Sequence, residues 1–134
     1  MAIILLIEDD VISARMVMKL LTNKGYTLYH VSSGMDGVKA ARELRPTLIL
    51  LDLGLPDLDG TLVAQQIRQF LKPEETLICA FTAQTGDKAK RLAHAYGCQQ
   101  FISKPISTRI FPEQVMEMLK SIQSSVPADS AKPS

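Results

Sequence analysis

Short β-rich runs alternate with longer segments of helical periodicity five times along the chain, at Ile3 to Ile7, Thr27 to Val31, Leu48 to Leu51, Leu77 to Phe81 and Gln100 to Ile102. Such alternation belongs to parallel strands joined by crossover helices, an α/β architecture. The first, third and fourth runs are apolar at nearly every position, which demands cover on both faces of the sheet. The sheet is therefore expected to be central, with helices on either side. A chain of 134 residues can bury one sizeable core, and a single domain over residues 1–123 is expected.

Periodicity locates the helices between the strands. Ile12, Met16, Leu20 and Leu21 form the stripe of the first, which Gly25 closes. The second, from about Ser33 to Leu44, contains Gly34 and Gly37 and cannot run past Pro46. Val63, Ile67, Phe70 and Leu71 mark the third, with Asp59 as its cap; Ala89, Leu92, Ala93 and Tyr96 mark the fourth, ended by a left-handed Gly97. Phe111, Val115, Met118, Leu119 and Ile122 mark the fifth. Ser107 offers that helix an N-cap, so Pro112 requires either a kink or a start of regular helix near Pro112 after an initial turn. Residues 124–134, SSVPADSAKPS, read as a disordered tail or the stub of a linker.

Composition removes several function classes. Net charge is only +1 with Lys and Arg dispersed, so neither nucleic acid nor an anionic membrane surface is an expected partner. No apolar stretch approaches the length needed to cross a bilayer, and Ala2 to Ile7 is too short and lacks the basic flank of a signal peptide. Cys79 and Cys98 fall in no zinc or redox spacing and read as reduced thiols, which suits a cytoplasmic protein.

In a parallel α/β sheet the working site lies beyond the carboxyl ends of the strands. The residues following the apolar runs are Glu8 and Asp9 after the first, Asp52 after the third, Thr82 with Ala83 after the fourth, and Ser103 with Lys104 after the fifth. Three acids, a hydroxyl and an ammonium therefore converge on one sheet edge. Clustered carboxylates repel unless a cation lies among them, and an all-oxygen set with room for waters suits Mg²⁺ or Mn²⁺. A carboxylate at a strand tip, assisted by such a cation and by a lysine, can accept a phosphoryl group.

With these residues in these places, from Ile3 to about Ile122, the chain resembles the receiver domain of two-component response regulators. The resemblance implies a flavodoxin-like doubly wound (βα)5 sandwich with strand order 2-1-3-4-5. It implies that Asp52 is the phosphoacceptor, that Asp9, Asp52 and the carbonyl of Gly54 bind the metal, and that Glu8 supports it through water. Lys104 would pair with Asp52 and then with the phosphoryl oxygens, Thr82 would hydrogen-bond one of them, and Pro105 would be a cis proline. Phe101 resembles the family's rotamer switch, whereas Gly54 and Gln84 occupy positions that tune hydrolysis of the acyl phosphate. An open approach at Gly54 and a water-orienting Gln84 imply moderate to fast self-dephosphorylation. Glu8 stands where aspartate is commoner in the family, a tolerated variation.

Other residues read more plainly. Asp10 is a cap or dipole residue, and His30 and His94 have no partners at ligand spacing. A competing reading lies in Asp57 to Thr61, DLDGT, which matches the D-x-D-G-T signature of haloacid dehalogenase-type phosphohydrolases and would make Asp57 and Asp59 the reactive pair. In those enzymes the first aspartate directly follows its strand, whereas here Gly54 and Pro56 intervene. A receiver-like scaffold that signals without phosphate is the third reading.

The favoured reading is a stand-alone switch and not an enzyme. A sensor histidine kinase or histidine phosphotransfer protein would supply the phosphoryl group, and output would be a protein contact through the face of the fourth helix, fifth strand and fifth helix. The chain would act as a monomer or weak dimer. The segment FISKPIS is similar to that of cell-cycle and polarity receivers, and Pro112 is expected to give the output face a shape of its own.

Overall fold

The apolar runs form strands β1 (Ile3–Ile7), β2 (Thr27–Val31), β3 (Leu48–Asp52), β4 (Leu77–Thr82) and β5 (Gln100–Ser103). Between and after them lie helices α1 (Val11–Leu21), α2 (Gly34–Leu44), α3 (Gly60–Ile67), α4 (Asp87–Ala95) and α5 (Phe111–Ser125). The structure, a computed structural model, describes residues 2–82 and 87–125. Ala83 and Gln84 lie outside the described residues, as do residues 126–134 of the tail, whose first two residues belong to α5.

All five strands are parallel and ordered β2-β1-β3-β4-β5, the doubly wound order expected. Successive side chains of a strand point to opposite faces, so continuous apolar runs feed two cores. Ile4, Leu6, Leu48, Leu50, Cys79 and Phe81 pack with α1 and α5 on one side. Leu5, Ile7, Ile49, Leu51, Ile78 and Ala80 pack with α2, α3 and α4 on the other. Each such aliphatic side chain, wholly withdrawn from water, contributes roughly 1.5–3 kcal/mol of burial free energy before chain entropy is counted.

Two helical stripes differ from expectation. In α1 the buried residues are Ala14, Val17 and Leu21, whereas Ile12 is 79% exposed. This helix is apolar around much of its circumference, so periodicity alone leaves its rotation about its axis open. In α4, Ala93 is buried but Leu92 is half exposed. α3 ends at Ile67, and Phe70 and Leu71 follow in turns.

Ends and caps follow local chemistry. Ser33 caps α2 by accepting from the Asp36 amide, and Arg45 in the left-handed region ends it before Pro46. Regular helix in α5 begins at Phe111 after an initial turn in which the Phe111 amide donates to the Ser107 carbonyl. Pro112 thus sits in the first turn, where a missing amide hydrogen costs no intrahelical bond. Within α2, Gly37 is needed for contact: a Cβ there would lie 2.5 Å from Ile7 Cδ1, so its absence lets the helix settle onto β1.

Candidate phosphorylation site

Every strand that ends in a polar residue delivers it to the same sheet edge. β1 is followed by Glu8, wholly buried, and by Asp9, exposed. β3 ends in Asp52 and β4 in Thr82, which are 6% and 8% exposed. β5 leads through Ser103 to Lys104, whose amide donates to the Thr82 carbonyl at 2.9 Å and whose peptide bond to Pro105 is cis. Carboxylate oxygens of Glu8, Asp9 and Asp52 lie within 4.8 Å of one another, an all-oxygen donor set that fits a hard divalent cation.

Asp52 is held from two directions. Its Oδ1 accepts from the Gly54 amide at 3.0 Å and lies 3.4 Å from Lys104 Nζ. The loop that makes this turn is pinned by α3, because a Cβ on Gly60 would sit 2.5 Å from Leu53 Cα and 3.0 Å from the Asp52 carbonyl oxygen. Only glycine permits so close an approach. Lys104 Nζ also binds Glu8 Oε1 at 3.1 Å, while Glu8 Oε2 accepts from the Asp10 amide at 3.2 Å.

These contacts divide the ionisation of the two buried acids. Burial, then the hydrogen bond with Asp52, pushes Glu8 up to about 7 against the opposing pull of Lys104. Burial acts on Asp52 in the same sense, but hydrogen bonds from Glu8 and the Gly54 amide, with the Lys104 charge, outweigh it and hold Asp52 below the ordinary carboxylate value. Of these two neighbouring acids, Glu8 thus holds a proton more readily than Asp52. Burial also opposes the charge on Lys104, yet its bond to Glu8 and the nearby Asp52 raise its pKa, so the ammonium persists. An ionised carboxylate facing a fixed cation is a competent oxygen nucleophile.

The remaining sequence candidates are distributed more widely. Phe101 is half-buried against the α2–α3–α4 core and borders a surface groove with Ile102, Ile110, Met116 and Met118. Gly54 is exposed beside Asp52, and a Cβ there would meet Asp52 Oδ1 at 3.7 Å. Asp10 caps α1, accepting from the Ile12 amide and the Ser13 hydroxyl. The acids of the DLDGT segment serve as helix anchors: Asp59 caps α3 through the Thr61 amide and hydroxyl, and Asp57 accepts from the Gly34 and Met35 amides at 2.8 and 3.1 Å.

Three interactions escape sequence reading. Asp57 anchors a helix 23 residues upstream. His30 Nε2 lies 2.8 Å from the Glu8 carbonyl oxygen. At the opposite sheet edge Arg68 donates to the carbonyls of Gly97, Leu71 and Thr76 and to Gln99 Oε1. The Asp57 and His30 contacts and the Arg68 bonds to Gly97 and Gln99 join residues far apart in the chain, and no local spacing signals them.

Comparison with known proteins agrees with this geometry. Residues 4–119 match the model of the response regulator receiver domain. The polar-differentiation response regulator DivK of Brucella ovis is 30% identical over 120 residues, covering 87% of this chain and 94% of DivK. The transcriptional regulatory protein AfsQ1 of Streptomyces coelicolor is 32% identical over 117 residues, and there the chain spans only 51% of the relative's length. The receiver domain of the sensor histidine kinase PA1611 of Pseudomonas aeruginosa, solved with a magnesium ion coordinated in its active site cleft, superposes with a TM-score of 0.79 at 25% identity, covering 89% of this chain and 98% of that one. Fold, site and sequence kinship agree, and the chain belongs to the response regulator receiver domain family.

Proposed function

We propose that the chain is a phosphorylation-activated switch in which Asp52 accepts a phosphoryl group from a sensor histidine kinase or a histidine phosphotransfer protein. The observation that carries this reading is the Asp52 carboxylate with Lys104 Nζ at 3.4 Å from its Oδ1, beside a set of acid oxygens that fits a divalent cation. Asp9, Asp52 and the Gly54 carbonyl would hold Mg²⁺ or Mn²⁺ with Glu8 in support, a reading in keeping with the clustered acid oxygens and with the magnesium ion in the active site cleft of the Pseudomonas receiver. When bound, that cation supplies charge neutralisation for the phosphoryl oxygens.

The chain's own residues do the rest. An Asp52 oxygen attacks phosphorus as the bond from phosphorus to the donor's histidine nitrogen breaks, leaving an acyl phosphate and a free imidazole. Lys104 then turns from the carboxylates to the new oxygens, and Thr82, at the neighbouring strand end, hydrogen-bonds one of them. Their drawing inward, with Phe101, shifts the surface of α4, β5 and α5, where Leu92, Ile110 and Met116 are 51%, 47% and 42% exposed. That surface is the output face. Among the described residues no helix is long and apolar enough to cross a membrane, and both cysteines are free and buried; the switch would act in the cytoplasm, as a monomer or weak dimer.

The lifetime of the phosphorylated state depends on access by water. A side chain at position 54 would start 3.7 Å from Asp52 Oδ1, so Gly54→Met should shield the acyl phosphate and lengthen its life, with Gln84 as the other tuning position. The primary test is intact-mass and peptide mapping after acetyl phosphate and Mg²⁺. One phosphoryl group on Asp52, absent from Asp52→Asn, supports the reading. Label on Asp57 with Asp52 unmodified would sink it and favour the hydrolase alternative.

A further inference from the structure

The Glu8 carbonyl lies one residue beyond β1, where the parallel ladder runs out. Its amide still donates to the Val31 carbonyl at 3.1 Å, but β2 ends at Val31 and the chain turns at Ser33 to cap α2. A strand continuing past Val31 would present the next amide donor to the Glu8 oxygen. That place is taken by a side chain: His30 Nε2 is 2.8 Å from the oxygen. A carbonyl only accepts, so Nε2 carries the hydrogen, and it does so in the neutral tautomer and in the imidazolium alike.

The consequence falls on the acid site. Glu8 is gripped by β2 at both its amide and its carbonyl, which fixes the peptide planes on either side of it. The second of these planes leads directly into Asp9, whose exposed carboxylate must leave the backbone in the direction that brings it within 4.8 Å of the Glu8 and Asp52 oxygens. We propose that His30 is a positioning residue for divalent-cation binding, acting through the Glu8 carbonyl to hold the Glu8–Asp9 peptide. The inference rests on the reading of Glu8, Asp9 and Asp52 as a cation site.

His30 is exposed, so its replacement opens no cavity. The test is calorimetric titration of Mg²⁺ into the full chain, with urea unfolding of the metal-free protein run in parallel. His30→Phe keeps a flat ring suited to a strand and removes the donor; His30→Gln keeps a donor of similar reach. The phenylalanine variant should bind Mg²⁺ about tenfold more weakly at an unchanged urea midpoint, at the lower end of the range for residues that orient metal ligands, and the glutamine variant should recover most of the loss. Equal affinity in His30→Phe, equal weakening in both variants, or weakening that merely follows a loss of stability would each overturn the positioning role. Absence of Mg²⁺ binding in the unaltered protein would instead overturn the cation-site reading beneath it.

Discussion

Asp57 illustrates how a single side chain can carry a motif's appearance and a different task. The Gly34 amide, then the Met35 amide, hold its carboxyl below the ordinary value of 3.8. A folded-state pKa depressed below the unfolded value gives stability that is present above the unfolded pKa and lost as pH falls through the folded one. Asp57→Ala should therefore lower the urea midpoint at pH 7, with the gap to the unaltered protein narrowing below about pH 4 as both lose the charge. A constant gap from pH 7 to pH 3 would show that the anion is not what anchors α2. The gathering of the candidate site residues was legible because each follows an apolar run, and strand ends in a parallel sheet share one edge. Asp57 was legible only as part of the DLDGT motif, and its anchoring task was not, since its partners lie in a helix far upstream.

Among elements, the far edge of the sheet is organised by Arg68 at the end of α3. Its guanidinium gathers the carbonyls of Leu71 and Thr76 ahead of β4 and that of Gly97 ahead of β5, while Gln99 passes the connection to the Ile78 amide at 2.8 Å. Gly97 ends α4 with a φ of 108°. Arg68→Met keeps the aliphatic stem and leaves these carbonyls without their donor, at about 1 kcal/mol for each bond that water cannot replace. We expect a loss of about 2 kcal/mol in urea unfolding with an unchanged rate of acetyl phosphate labelling, because Asp52 lies at the other end of the strands. A labelling defect equal to the stability defect would show that the two edges are coupled. Helix positions were legible from periodicity, but the rotation of α1 was not, since several of its faces are apolar enough to be buried.

At the scale of the molecule the unburied face of α1 acquires meaning from its neighbours. Val11 and Ile12, 59% and 79% exposed, directly follow the acid cluster at Glu8 to Asp10. On the proposed function, a protein donor that brings a phosphohistidine to Asp52 would lie against this corner, whereas acetyl phosphate need not. Ile12→Glu should slow transfer from a cognate donor protein at least about tenfold, equivalent to 1.4 kcal/mol, and leave labelling by acetyl phosphate unaltered. Equal rates from the protein donor would remove α1 from the docking surface. For the proposed switch the output end obeys similar arithmetic: shifting the active population from 1% to 99% would require phosphoryl contacts that favour that state by about 5.5 kcal/mol, and Lys104 and Thr82 are the residues proposed to make them.

The amino-acid order was enough to establish five strands, three of them covered on both faces, the edge on which the acids gather and the family that places them there, because side-chain period and strand polarity are local properties. Folding in three dimensions settled which face of α1 and α4 meets the sheet, that Glu8 and Lys104 pair across the site at 3.1 Å, and that His30, Asp57 and Arg68 each bind backbone remote in sequence. Those contacts depend on where a carbonyl or amide is left without a ladder partner, and that is known only once the neighbouring strands and helices have ended.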